Sequence, residues 1–119
     1  MSSESSTSEE SETKAFKRLR KMLTKENLWL YILRLLQERP RYGYEIKNEI
    51  RKRFGFSPAI VTGYVILYKM KRDGLVEVSL EKNETKRQDR KYYRITQRGQ
   101  ESMKMAKGLL LDLMKKVFD

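Results

Sequence analysis

The fold is decided by residues 57–80, SPAIVTGYVILYKMKRDGLVEVSL. In the first part, apolar residues recur at helical spacing, which predicts a helix. We expect Ser57 to be its N-cap and Pro58 its first residue, because serine accepts hydrogen bonds from the free N–H groups there and proline lacks one. Gly74 then ends the helix. Residues 75–80 alternate apolar and polar side chains, which predicts a half-buried strand.

A hairpin follows on the C-terminal side of this stretch. Residues 81–90 are polar and charged, which predicts a loop, and residues 91–95, KYYRI, form a second strand. We call the hairpin with its loop, residues 75–95, the wing. Tyr92 and Tyr93 point to opposite faces of their strand, so we expect one of them in the core.

Three helical segments precede the stretch. Residues 14–23 are basic with apolar residues at helical spacing, and they form either a short helix or the start of a longer one. Residues 26–39 form a helix that Pro40 ends. Residues 42–54 form another, which buries Tyr42 or Tyr44 and ends at a left-handed glycine, Gly55.

The helix of residues 26–39 carries two apolar stripes, where an ordinary surface helix needs one. One stripe holds Trp29, Ile32, Leu33 and Leu36, and the other holds Leu28, Tyr31 and Leu35. We therefore expect its own core to cover one side of this helix and a partner chain the other.

The last helix, about residues 97–118, is capped by Thr96 and carries an apolar seam. The seam residues are spaced 3, 4, 3, 4, as in the a and d positions of a heptad: Met103, Ala106, Leu110, Leu113 and Val117. The sequence thus predicts a mainly α chain with a small β-hairpin, a winged helix-turn-helix with a long C-terminal dimerisation helix. We expect a homodimer held by this seam and by Trp29, with the last helix on its symmetry mate and on the partner's first helix.

Charge is unevenly distributed along the 119 residues. Residues 1–13 are Ser-rich with four acids and no Lys or Arg, and we expect this tail to be disordered. Residues 14–119, the single domain, hold all 27 basic and the other 12 acidic residues. So basic a domain suits a polyanion such as double-stranded DNA.

Neither cysteine nor histidine occurs in the chain. Their absence excludes most metal sites, the usual general base, and Ser-His or Cys-His nucleophiles. The acids are scattered singly among Lys and Arg, so we expect no enzyme, no metal and no cofactor. No apolar run reaches the roughly 18 residues of a membrane span, and we expect a cytoplasmic, nucleoid-associated protein.

Four segments resemble the PadR-like family of transcriptional regulators. They are YGYEI at 42–46, TGY at 62–64 with the apolar residues after it, DGLV at 73–76, and RKYYRIT at 90–96 with Gly99 following. Together they cover roughly residues 27–105. The resemblance implies a winged helix-turn-helix that binds DNA, and the single C-terminal helix places the chain with the family's short members. Val61, Val65 and Lys71 depart from the family pattern, where glycine, proline and an acid are usual.

In this motif the third helix enters the major groove and the wing lies along the DNA backbone. The expected DNA-binding residues of the helix are Ser57, Ala59, Ile60, Thr62, Gly63, Tyr64, Lys69 and Arg72, and those of the wing are Lys82, Lys86, Arg87, Arg90 and Lys91. By resemblance, Tyr64 places its hydroxyl on a phosphate. Either Ile60 or Val61 is expected in the core, and Lys69 and Arg72 also complement the helix dipole.

None of the residues near the start of the third helix is an Arg or Asn able to bond a base in two places. Three functions stay open: a transcriptional regulator, expected to repress; a DNA-organising or plasmid- or virus-maintenance protein of low specificity; and an interaction module for an acidic protein partner. By resemblance, Trp29 could stack on a flat aromatic effector, but packing is the simpler role and the sequence does not support an effector.

Overall fold

The computed structural model describes residues 11–81 and 90–119, and it confirms a mainly helical chain with a small sheet. The elements run in chain order: α1 Lys14–Leu23, α2 Leu28–Glu38, β1 Arg41–Tyr42, α3 Gly43–Phe54, α4 Ile60–Arg72, β2 Val76–Glu81, β3 Arg90–Ile95 and α5 Gln97–Phe118. The expected disorder of residues 1–13 concerns a segment of which residues 1–10 lie outside the described part.

Several helix ends follow the local sequence as predicted. Gly55 ends α3 with a φ of 81°, in the left-handed region that glycine enters at little cost. Thr96 caps α5, because its Oγ1 accepts from the backbone N–H of Gly99 at 3.0 Å. Pro40 follows α2, whose last residue is Glu38.

α1 is a separate helix, which answers the question that the sequence left open. A 3₁₀ turn, Lys25–Asn27, follows it, so α2 begins at Leu28 and not at residue 26 as predicted. The Tyr31 hydroxyl donates to the Leu23 carbonyl at 2.5 Å and ties the end of α1 to α2.

The sheet has three antiparallel strands in the order β1-β3-β2. β2 and β3 form the predicted hairpin, with Val76 opposite Ile95 and Glu81 opposite Arg90. β1, which pairs Arg41 with Tyr93, was not predicted. Two residues are too few to show an alternation of apolar and polar side chains. One of them, Arg41, is charged but buried, so its residue type does not indicate its burial.

A single core lies between the helices and the sheet. Its buried apolar residues are Leu28, Ile32, Leu33, Leu35 and Leu36 of α2, Ile46 and Ile50 of α3, Leu67 and Met70 of α4, and Leu75, Val76 and Tyr93 of the wing. Tyr93 is thus the core tyrosine of its strand, as predicted for one of the pair. Leu28 and Leu35, from the second stripe of α2, are fully covered by their own chain. Of the two stripes, only Trp29 and Tyr31 are partly buried, so the expected cover by a partner chain stays a prediction for those two residues.

The predicted start of α4 is wrong. The helix begins at Ile60 after an extended residue, Ala59, and no side chain caps it. Phe56 packs edge-on against Tyr31 at 4.9 Å, and Pro58 is buried. Because Ala59 is the residue that precedes the helix, Ser57 lies too far upstream to be the N-cap.

Neither Ile60 nor Val61 is in the core, against the prediction that one of them would be. Their side chains are 58% and 74% exposed. Ile60 shares a helical row with Gly63 and Leu67, but Gly63 has no side chain to continue that row. A cavity of about 240 Å³ lies there between α3 and α4, so Ile60 is not covered.

Candidate nucleic-acid interface

The first two turns of α4 present an open surface. Leu67 and Met70 face the core, whereas Val61, Thr62 and Tyr68 are exposed on the outer side. Three other predicted DNA-binding residues, Ser57, Ala59 and Ile60, are exposed beside them. This surface offers several apolar groups and the hydroxyls of Ser57, Thr62 and Tyr68.

Tyr64 lies where α4 meets the start of α3. A β-carbon at Gly43 would lie 2.8 Å from Cε1 of Tyr64, so the ring packs directly on the glycine backbone. The remaining half of the tyrosine is exposed. The side chain therefore packs on one side and leaves the other free for a ligand. Gly63, one residue earlier, is partly buried.

Three basic residues lie at the C-terminal end of α4. Lys69, Lys71 and Arg72 are exposed in the last turn, where they also complement the helix dipole. The Arg72 guanidinium lies 5.9 Å from the ring centre of Tyr68. Within the described ranges none of these three cations forms an ion pair, so their charge is available to an anion.

Two of the five predicted wing cations, Arg90 and Lys91, lie in the described residues; Lys82, Lys86 and Arg87 lie outside them. Lys91 is exposed. Arg90 is partly buried, and its Nη1 donates to the hydroxyl of Tyr44 at 3.2 Å. Because Tyr44 is in the first turn of α3, the structure turns Arg90 toward the protein.

A cluster of tyrosines surrounds Arg90. Its guanidinium lies 5.2 Å from the ring centre of Tyr42 and 5.4 Å from that of Tyr44, and the two rings are stacked 6.0 Å apart. The Tyr42 hydroxyl donates to Oε1 of Glu81 at 2.5 Å, a hydrogen bond that raises the pKa of Tyr42. Tyr92 packs on Tyr42 at 4.9 Å.

Sequence reasoning missed this cluster. It predicted Tyr42 or Tyr44 as a core residue of a helix, but Tyr44 is 52% exposed and Tyr42 precedes α3. A usable signal existed: an Arg and a Glu at the two ends of the wing loop, with tyrosines two residues apart at the start of a helix.

The predicted dimerisation residues split into two groups. Met103 packs against the core and Ala106 is partly buried, whereas Leu110, Leu113 and Val117 are 39%, 45% and 69% exposed. Trp29 is partly buried, and its Nε1 donates to Oδ1 of Asn27 at 3.3 Å. The C-terminal half of α5 therefore extends away from the core with a bare apolar face.

α1 has an exposed apolar face as well. It buries no residue, and its apolar side chains, Phe16, Leu19, Met22 and Leu23, are all exposed. Within the described chain, none of the helices has the length and apolar character needed to cross a bilayer.

Comparisons with known proteins agree with this architecture. The model of the transcriptional regulator PadR-like family matches residues 32–105. A PadR-like transcriptional regulator from Bacillus cereus is 28% identical, with a TM-score of 0.63, covering 83% of this chain and 97% of its own. A PadR-family regulator from Eggerthella lenta shares the fold at 22% identity, with a TM-score of 0.74 and coverage of 87% and 88%.

Bacillus subtilis PadR, solved in complex with operator DNA, is 26% identical with a TM-score of 0.59. That match covers 64% of this chain and 42% of the Bacillus protein. Comparison with curated protein sequences finds no match. The family model covers well over half of the chain, and the family is one of regulators and not of enzymes. The chain belongs to the PadR-like family of transcriptional regulators.

Proposed function

We propose that this protein binds double-stranded DNA as a homodimer, with α4 in the major groove and the wing on the backbone, and represses transcription by occupying a promoter. The carrying observation is the exposed outer face of α4, with Thr62 near its start and Lys69 and Arg72, which pair with no acid of the described residues, near its end. In a helix-turn-helix, the N-terminal part of this helix meets the base edges. The DNA-bound Bacillus subtilis relative supports this assignment.

The proposal of a homodimer depends on the exposed C-terminal part of the α5 seam, Leu110, Leu113 and Val117. Apolar faces of this kind usually mark an interface, and the 3, 4 spacing suits helix-on-helix packing. A twofold axis would set two copies of α4 about one turn of DNA apart, roughly 34 Å. We therefore expect a pseudo-palindromic site, with the protein on the nucleoid in the cytoplasm.

Low-specificity DNA coating is the second candidate, and one observation favours it. The first two turns of α4 expose Ile60, Val61 and Thr62 but no Arg, Asn or Gln. Those are the side chains that bond one base in two places. Specific binding would then depend on the shape of the DNA and on backbone contacts.

Selection of bound fragments from random DNA tests the proposal. We expect an inverted repeat whose affinity exceeds that for bulk DNA by at least ~10³. A ratio near one with a steep salt dependence would favour the coating protein. A lack of binding to any duplex at low salt would overturn both and favour an acidic protein partner.

The proposed contacts can be tested one by one on the selected DNA. Replacing Lys69 with Gln is expected to make the slope of log K against log salt less negative by about 0.9, because one phosphate contact is lost. Replacing Thr62 with Val is expected to alter sequence preference and leave the slope unchanged. Lys47→Gln is a control, since it removes an equal charge from α3, outside the proposed contact set.

A further inference from the structure

The tyrosine cluster lies where the wing meets the rest of the domain. Glu81 is the last residue of β2 and Arg90 the first of β3, and the two are opposite each other across the hairpin. They are thus the last described residues on either side of the wing loop. Contacts that these two residues make therefore act at the end of the described hairpin.

Glu81 and Arg90 do not pair with each other in the described structure, although opposite charges across a hairpin usually attract. Each bonds a tyrosine instead: Glu81 accepts from the Tyr42 hydroxyl, and Arg90 donates to Tyr44. Tyr42 ends β1, and Tyr44 is in the first turn of α3. Both ends of the wing loop are therefore attached to the start of α3.

The Tyr42 and Tyr44 rings fix the orientation of the Arg90 guanidinium. The two tyrosine rings are nearly parallel, with 7° between their planes, and the guanidinium lies 5.2 and 5.4 Å from their centres. A planar guanidinium can stack and donate at fixed angles, which the ammonium group of lysine cannot do. Arg90 is therefore held in one orientation.

We infer that Tyr42, Tyr44, Glu81 and Arg90 form a latch that fixes the strands of the wing, β2 and β3, relative to α3, and that Arg90 is a positioning residue and not a phosphate contact. The inference rests on the proposed function, since the fixed angle serves DNA binding. It reassigns one of the five wing cations expected to bind DNA. Lys91, exposed beside it, keeps the phosphate role.

DNA affinity against salt separates the two roles of Arg90. If Arg90 contacts a phosphate, Arg90→Lys should keep that contact. Arg90→Gln should then make the slope of log K against log salt less negative by about 0.9. For a positioning residue we expect Arg90→Lys and the uncharged change Tyr44→Phe each to weaken binding about 5- to 10-fold. Both substitutions remove the same hydrogen bond, the one between Arg90 and Tyr44. The double variant should therefore bind DNA only slightly more weakly than either single variant.

Two controls match these variants. Tyr92→Phe removes a hydroxyl that makes no hydrogen bond within the described residues, so it should leave affinity unchanged. Lys91→Gln removes an adjacent charge. It should make the slope of log K against log salt less negative without changing the wing's position. Full affinity in Arg90→Lys, together with a lowered slope in Arg90→Gln, would overturn the latch.

A distance measurement tests the latch without DNA. The chain has no native cysteine, so spin labels can be placed at Leu80→Cys in the wing and Asn48→Cys in α3, both exposed. Dilution with unlabelled protein removes distances between protomers. We expect a narrow distribution that broadens with Tyr44→Phe or Glu81→Gln at an unchanged unfolding midpoint.

The two measurements fail independently. An equally narrow distribution in all variants would overturn the latch, whatever the DNA data show. Broadening in the variants, with no DNA bound by the unmodified protein, would support the latch and overturn only the proposed function.

Discussion

At the scale of single residues, Gly99 and Gly63 are glycines with opposite surroundings. A β-carbon at Gly99 would lie 2.5 Å from the Leu75 carbonyl oxygen and 2.7 Å from Cγ1 of Ile95, whereas one at Gly63 meets nothing within 4 Å. We expect Gly99→Ala to lower the free energy of unfolding by about 1–3 kcal/mol. Gly63→Ala should raise it by up to about 1 kcal/mol, because alanine favours a helix.

Urea unfolding followed by the fluorescence of Trp29, the only tryptophan, measures both changes. The wild-type chain is the common reference. An equal effect of the two substitutions would show that helix propensity, and not the close approach at Gly99, governs both positions.

Glu38 is the centre of an arginine cluster. Its Oε1 lies 2.7 Å from Nη1 of Arg53 and 2.8 Å from Nη2 of the buried Arg41. The hydrogen bond from Arg53 holds the pKa of Glu38 below its ordinary value, and the charges of Arg53 and Arg41 add to this. A carboxylate with a lowered pKa stabilises the fold above its ordinary pKa, and that contribution is lost as pH falls through the lowered one.

We therefore expect Glu38→Gln to destabilise the protein at pH 7 and to differ less from wild type at pH 3. Urea midpoints at the two pH values measure this. Glu77→Gln is the control, because Glu77 is exposed and forms no ion pair with any described residue, so its effect should be small at both values. A Glu38→Gln deficit that is the same at both pH values would contradict the argument.

At the scale of elements, the two helix starts assigned to Ser57 and Thr96 differ in the structure. Thr96 accepts from Gly99 and donates to the Gly74 carbonyl at 2.6 Å, which joins α5 to the end of α4. Ser57 lies before an extended segment and caps nothing. We expect Thr96→Ala to cost about 1–2 kcal/mol of unfolding free energy and Ser57→Ala less than about 0.5 kcal/mol.

Thermal and urea unfolding of these two alanine variants compare the same kind of truncation at both sites. A cost at Ser57 equal to that at Thr96 would mean that Ser57 caps α4 in solution, as the local sequence indicates.

Most element boundaries could be predicted because they depend on local chemistry. Gly55 ends α3 through its own backbone freedom, and Pro40 follows the end of α2 through its ring. The start of α4 could not be predicted, because the contact of Phe56 with Tyr31 joins residues 25 positions apart and overrides the serine-proline signal. β1 could not be predicted either, because its two residues show no alternation and its pairing partner is about 50 residues away.

The candidate site shows the same difference between features that depend on local sequence and features that depend on distant residues. The exposure of Thr62 and Lys69 follows from helical spacing and could be predicted from the sequence, whereas their contact with DNA stays a prediction. The inward orientation of Arg90 depends on Tyr44, 46 residues earlier. A charge in a basic loop carries no sign of such a partner, so the sequence alone favours a phosphate contact for Arg90.

At the scale of the whole molecule, apolar faces of α1 and of the C-terminal half of α5 are exposed in the described structure. Charge opposes association, since the chain carries a net +11. Apolar burial must therefore hold the proposed dimer together. We expect Leu110→Ala/Leu113→Ala to raise the dimer dissociation constant at least about 100-fold, because four leucine side chains leave the symmetric interface.

Sedimentation equilibrium at micromolar concentration measures that constant. Both leucines are exposed in the single chain, so their loss should leave the fold of each protomer intact. Lys104→Ala/Lys115→Ala is the matched control, since it trims two exposed side chains on the side of α5 away from the seam. A wild-type chain that is already monomeric would overturn the dimer. It would also remove the reason for expecting two DNA half-sites, because one α4 reads only one of them.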